Sequence, residues 1–225
     1  MMRIAIDGPA SSGKGTLAKR LCSHFGFAYI DTGAIYRAIA YLAVQNGMDV
    51  ADEDSIAQFA TTQKFSFTSS GEICHNGKNL NIHIRTDEVS QQASIVSSHP
   101  KVRDAIFHLQ QNLATQLGKE TGVVMDGRDI GTVIIPDAEI KFYIDADVQV
   151  RAKRRFKHNV AHLDGFSLTY ENILAELIER DERDKNREVA PLKQADDAIL
   201  IDTTHQTIDE SFAALVQHIE AEQKS

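Results

Sequence analysis

The residues Ile4-Ala5-Ile6-Asp7-Gly8-Pro9-Ala10-Ser11-Ser12-Gly13-Lys14-Gly15-Thr16 join a short apolar run, a glycine-bounded loop and a lysine. A helical pattern of Leu17, Ala18, Leu21 and Phe25 follows directly. Strand, loop and helix in that order form the setting in which backbone amides cradle phosphate. Glycines let successive N–H groups turn inward, and the helix N-terminus adds partial positive charge. Gly8 to Thr16 would line such a cradle, with Lys14 reaching the outer phosphates and the Thr16 hydroxyl meeting a Mg²⁺ ion carried by them. One departure stands out. The strict pattern places Ser or Thr directly after the lysine, and here Gly15 intervenes.

Three further groups point to the same chemistry. Asp126-Gly127-Arg128-Asp129 follows the apolar run Val123-Val124-Met125. An acidic residue at the end of a second core strand can hold Mg²⁺ or its waters, and Arg128 beside it can clamp a phosphate. A simple turn is the alternative for Asp126-Gly127. In Asp31-Thr32-Gly33-Ala34-Ile35-Tyr36-Arg37, Thr32 opens a helix and so marks an anion site, with Tyr36 and Arg37 one turn on. Finally, Arg151, Arg154 and Arg155 share one helix face, and Arg180, Arg183 and Arg187 share another with Asp184 among them. Such stripes are often solvated surface. Their concentration within an acidic chain, and the match of a planar guanidinium to phosphate oxygens, favour anion binding.

The chain has 225 residues, 42% hydrophobic and 25% charged, which suits a single globular α/β domain. A formal net charge of -8 disfavours a general nucleic-acid binder. Two cysteines without CxxC spacing, and nine histidines without ligand spacing, suggest reduced thiols and no metal cage. With no membrane-length apolar stretch and no leader ahead of the first strand, a soluble cytoplasmic protein is expected. Dinucleotide-binding Gly-x-Gly-x-x-Gly and guanine-reading Asn-Lys-x-Asp motifs do not occur.

The elements that must position these residues alternate. Phe27 to Ile30 reads as a strand before the Asp31 motif, and a helix carries Ile35, Ile39, Leu42 and Ala43. A short helix covers 52–63. From Lys64 the period changes: Phe65, Phe67, Ile73, then Leu80, Ile82 and Ile84 alternate with polar residues, with turns at 69–71 and Asn76-Gly77. That predicts a small antiparallel meander inserted among helices. Helices at 86–97 and 101–117 flank Pro100, and Ile140 to Ile144 is a further buried strand. A basic helix runs from Val148 to about His158, with a loop to Gly165. A helix over 168–187, a strand at 198–202 and a capping box at Thr207–Glu210 opening the last helix complete the chain. The predicted fold is an α/β, mostly parallel sheet with helices on both faces and a small antiparallel β insert. Its phosphate loop lies at the carboxyl end of the first strand.

Taken together, these motifs resemble the bacterial cytidylate kinases of the nucleoside monophosphate kinase group. The likeness rests on Asp7-Gly8-Pro9 with Gly13-Lys14-Gly15-Thr16, on Asp31 to Arg37, on Asp126 to Thr132, and on Arg180 to Arg187 with Ala190-Pro191-Leu192. Lys-Gly-Thr in place of Lys-Ser/Thr is the nucleotide-kinase variant of the loop. The resemblance implies a P-loop kinase fold over 1–225, with a monophosphate-binding insert at about 60–97 and a lid at about 151–165. It implies transfer of the γ-phosphoryl group of MgATP to CMP, or dCMP, with Lys14, Arg128 and Arg187 catalytic. Ser94, Arg103 and Asp129 would read cytosine, Arg180 and Asp184 would hold the ribose, and Thr32, Tyr36, Arg37, Arg128 and Arg187 would surround the acceptor phosphate. Arg151, Arg154 and Arg155 would close over ATP. A monomer acting on small nucleotides, not on nucleic acid or membranes, is expected. Adenylate or thymidylate kinase, a nucleotide sensor without transfer activity, and an RNA binder using the 151–187 arginines are the rival readings.

Overall fold

Ile4, Ala5 and Ile6 are all fully buried, as a strand covered on both faces requires. In the computed structural model, which describes residues 2–68, 70–162 (all but the side chain of His162) and 167–224, they form β1 (Arg3–Asp7). The chain continues through α1 (Lys14–Phe25), β2 (Ala28–Asp31), α2 (Thr32–Gln45) and α3 (Glu53–Thr62). Strands β3 (Phe65–Phe67), β4 (Ile73–His75) and β5 (Lys78–Asn79) precede helices α4 (Asp87–Val96) and α5 (Pro100–Glu120). Then come β6 (Val123–Gly127), a π-helical turn (Ile130–Ile134), β7 (Ile140–Asp145), α6 (Val148–His162), α7 (Tyr170–Asn186), β8 (Ile199–Asp202) and α8 (Ile208–Glu222).

The main sheet has the order β2-β6-β1-β7-β8, and every described pairing in it is parallel. On one face Ile4, Ile6, Phe142 and Ile144 pack on Leu17 and Leu21 of α1 and Leu215 and Ile219 of α8. On the other, Ala5 and Met125 meet Ala114 of α5 and Ile130. Parallel register brings Asp7, Asp31, Asp126 and Gly127 to one rim, Asp31 opposite Asp126 and Asp7 opposite Gly127. Ligands of open α/β sheets bind at that carboxyl rim.

The second sheet, β3-β4-β5, is antiparallel. Asn76 (φ 49°) and Gly77 (φ 77°) make its hairpin turn, the left-handed pair that a type I′ turn demands. The predicted alternation at 80–84 is not a strand. Leu80 O accepts from the N–H groups of His83 and Ile84 at 2.9 and 3.2 Å, a helix-like turn. Leu80 and Ile84 therefore point inward together while Ile82 is 86% exposed. Apolar residues spaced by two satisfy a strand pattern, and those spaced by four satisfy a turn, so periodicity alone misreads this short run.

Pro100 opens α5 rather than dividing it from a later start, because the first helical position needs no N–H. The basic helix α6 extends through 162, beyond the predicted end near 158. No residue before Gly165 breaks a helix, so the added turn follows from composition. The loop expected from 158 is thus helical to 162, and the predicted lid's positions 163–165 lie outside the described residues. Thr169 caps α7 through a reciprocal capping box with Asn172, and Thr207 does the same for α8 with Glu210.

Candidate active site

A cleft of about 980 Å³ opens along the carboxyl rim of the main sheet. One wall is the loop from Ala10 to Thr16. Ser11 (φ 61°) and Gly13 (φ 93°) take left-handed conformations that turn the backbone into a concave nest. Gly13 caps α1 with no side-chain bond, and no acidic residue occupies the first turn. Helix amides and dipole are left facing the cleft, ready for an anion. Gly8 and Pro9 lie behind this wall. A Cβ on Gly8 (φ 150°) would sit 2.0 Å from Ile144 O, so this glycine lets two strands' ends approach. Pro9 O accepts from Lys14 Nζ at 3.2 Å.

Lys14 is buried, and burial, with Arg128 nearby, lowers its ammonium pKa to about 7. An anion beside it reverses that shift. Gly15 explains the departure from the strict loop pattern. A Cβ there would stand 3.3 Å from Asp126 Oδ2 and 3.5 Å from Tyr29 OH, so the extra glycine lets α1 settle onto the buried Asp126. Tyr29 OH donates to Asp126 Oδ1 at 3.1 Å. Burial, then Asp31, pushes the Asp126 carboxyl up to about 6: its negative charge is under-compensated.

The opposite wall is built from α2, α5, the end of β6 and α7. Asp31 caps α2 by accepting from Ala34 N at 3.0 Å. Although burial opposes it, Arg37 and Arg85 hold this carboxyl well below the usual range, pairing with it at 3.3 and 2.9 Å. Thr32 Oγ1 donates to Asp126 O at 2.8 Å. Arg128 Nε donates to Asp184 Oδ2 at 2.8 Å, and Arg180 Nε lies 3.9 Å from the same oxygen. Asp129 is held between Arg103 and Arg187. Tyr36 OH, Arg180 Nε and Arg187 Nη2 are buried without a hydrogen-bond partner among the described residues. Burial and the neighbouring Arg128 lower Arg180 to about 9, and burial with Arg103 lowers Arg187. Crowded, desolvated cations with unfilled donors are arranged for a multiply charged anion.

Thr32, Tyr36, Arg37, Arg103, Arg128, Asp129, Arg154, Arg155, Arg180, Asp184 and Arg187 all line the cleft with the loop residues. Ser94 and Arg151 do not. Ser94 is buried, next to the lining residue Ala93 and one turn from Ser97, and its Oγ accepts from Arg183 Nη1 at 2.8 Å. Arg151 donates to Ala146 O at 2.8 Å, to Ala10 O at 3.1 Å, and to Asp181. It braces the phosphate loop from behind. Replacing Arg151 by Met is therefore expected to cost about 3 kcal/mol by stranding the buried Asp181, and to weaken ATP binding because Ala10 O loses its brace. Urea titration and isothermal calorimetry check the two halves.

Sequence reasoning missed Asp31 and Arg85 as a charge pair, and the 203–211 segment as a wall. Thr203, Gln206, Thr207, Ile208 and Ser211 line the cleft, and Arg154 donates to Thr203 Oγ1 and O at 3.0 and 2.6 Å. The capping box at Thr207 marks a helix start, but nothing local says that it faces the phosphate loop.

Fold and cleft together define a P-loop phosphotransferase: a nucleotide-phosphate cradle facing a second pocket of arginines. The family model described as cytidylate kinase matches residues 4–221, and the chain belongs to that family. It is 44% identical to a cytidylate kinase of Bacillus subtilis (strain 168) over 222 residues, covering 97% of this chain and 96% of the relative. It is 46% identical to one from Bradyrhizobium sp. (strain ORS 278), covering 98% and 96%. Among solved structures, an uncharacterized protein from Eubacterium ventriosum ATCC 27560 superposes with a TM-score of 0.52 at 15% identity, covering 98% of this chain and 99% of that one; this likeness concerns the fold alone. No helix among the described residues is long and apolar enough to cross a membrane.

Proposed function

We infer that this protein transfers the γ-phosphoryl group of ATP to CMP, giving ADP and CDP, and that dCMP is a second acceptor. The observation that carries the reading is one cleft with two unlike anion-binding walls, an amide nest with Lys14 on one side and buried arginines on the other. Two nucleotides fit it with their phosphates meeting in the middle. The donor triphosphate takes the Ala10–Thr16 cradle, with Gly8 and Pro9 supporting the loop from behind and Arg154 and Arg155 over it. The acceptor phosphate takes Thr32, Tyr36, Arg37, Arg128 and Arg187, and the ribose takes Arg180 and Asp184. Arg103 and Asp129 face the base end. Ser94, next to the lining residue Ala93, would complete that set by turning its O–H to the base.

Lys14, Arg128 and Arg187 neutralise charge as it spreads over the transferring group, the main demand of phosphoryl transfer. The attacking group is itself a phosphate, with a second pKa of about 6, and is already ionised near neutral pH. No general base is needed. The segment from about 60 to 97 would close on the acceptor and the described part of the lid, 151–162, on the donor, excluding water that would otherwise hydrolyse ATP.

Magnesium fits the donor set. Among the described residues no group of three or more His, Cys, Asp or Glu could hold a metal alone. A cation here must take most of its oxygens from phosphate and water, as Mg²⁺ does. Thr16 and the under-compensated Asp126 would hold it, and it would supply positive charge to offset that of the phosphates. We place the enzyme in the cytoplasm as a monomer that does not bind nucleic acid. Coupled ADP release across CMP, dCMP, UMP, AMP and dTMP tests the reading: turnover fastest on CMP is expected, and turnover fastest on AMP or dTMP would overturn it.

A further inference from the structure

We infer that Asp7 is a positioning residue for the acceptor half of the site, capping the turn after Asp129 so that Asp129 itself stays free to hold the arginines. The inference rests on the CMP-kinase reading above.

Asp7 ends β1 and is 4% exposed. Its Oδ1 accepts from Ile130 N at 2.8 Å and its Oδ2 from Gly131 N at 2.8 Å. These are the first amides of the π-helical turn Ile130–Ile134, the donors that a helical turn cannot satisfy internally. Aspartate at the preceding position ordinarily serves as the cap. Here Asp129 occupies that position and makes no cap bond, because its carboxylate lies between Arg103 and Arg187. A residue 122 positions earlier in the chain supplies the missing acceptors. Gly131 makes the approach possible, since a Cβ there would lie 3.1 Å from Lys141 Cδ and 3.4 Å from Asp7 Oδ2.

Two consequences follow. The Asp7 carboxylate fixes the turn that follows Arg128 and Asp129 against the end of β1, and makes no bond to the Ala10–Thr16 cradle. Without it, two adjacent buried amides lack acceptors, and the nearest carboxylate able to turn onto them is Asp129. Turning would take Asp129 away from Arg103 and Arg187 and spoil the base end of the acceptor pocket. Burial pushes the Asp7 carboxyl up to about 7, and the two amides pull it the other way by favouring its ionised form.

The test is Asp7→Asn, whose amide oxygen can accept one N–H while its NH2 meets the other head-on. CMP affinity by calorimetry is expected to weaken about ten- to hundredfold, with ATP affinity unchanged. In an Asp129→Ala background, Asp7→Asn should then add little, because linked residues are non-additive. Unchanged CMP affinity, equal weakening of both nucleotides, or additive effects would overturn the inference. If Asp7→Asn does not fold, amide exchange in the unaltered enzyme decides: Ile130 and Gly131 protected with and without CMP is expected, and rapid exchange at either would overturn it. A wild-type enzyme with no preference for CMP would remove the underlying reading, whereas a CMP-specific wild type with an indifferent Asp7→Asn removes this inference alone.

Discussion

Lys14→Ala lowers kcat for CMP by about 10²- to 10³-fold, the loss typical of removing one preorganised charge from a transition state, and leaves the ligand-free protein no less stable. The two halves have one cause. Lys14 is buried among Arg128 and Arg180 with Asp126 and Asp31 opposite, and its folded pKa of about 7 lies below the ordinary 10.5. The fold therefore disfavours the charged lysine. The folded chain binds fewer protons than the unfolded one between those values, so stability rises with pH across that window. The penalty is complete below about pH 7 and fades towards pH 10, and the alanine variant gains most at the acid end. Activity assays with urea titrations at pH 6.5 and 9.5 separate the effects. A variant that retains turnover would remove Lys14 from the reaction; one that unfolds would make it structural.

Asp129→Ala has the largest expected effect on stability. Asp129 joins Arg103, which also donates to Ser97 O at 3.1 Å, and Arg187, which donates to Ala190 O at 2.6 Å. Removing the shared carboxylate leaves two buried guanidinium groups facing each other, at a cost of about 3–5 kcal/mol. The KM for CMP should rise as well, because Asp129 lines the cleft and on the proposed reading contacts the base, while the KM for ATP stays near that of the parent. Asp129→Asn keeps the shape and a hydrogen-bond acceptor without the charge, and should lose less stability. Equal stability for the alanine variant and its parent would show that the pair of arginines needs no counter-charge.

Much of this is legible in the sequence. Pro100, the Thr207–Glu210 box and the unbroken apolar runs at 4–6 and 123–125 announce elements through local chemistry, and the structure has them. The phosphate loop was legible for the same reason, since its strand, glycines and lysine are contiguous. Residues that depend on what lies across the fold were not legible. Helical spacing put Arg151, Arg154 and Arg155 on one face, yet only packing decides that Arg151 braces Ala10 and Asp181 while its neighbours line the cleft. Arg85 sits in no motif, and only the turn at 80–84 brings it to Asp31. Gly15 is legible as the nucleotide-kinase variant of the loop, but its physical reason is an aspartate on another strand.

The central claim is that two nucleotides lie tail to tail in this cleft with their phosphates between Lys14 and the arginines. A single molecule that joins adenosine and cytidine through five phosphates measures it directly by calorimetry. Because linkage turns the second binding event into an intramolecular one, it should bind at least about 10²-fold more tightly than ATP or CMP alone. Affinity no better than that of ATP would mean that the two walls never hold both nucleotides at once.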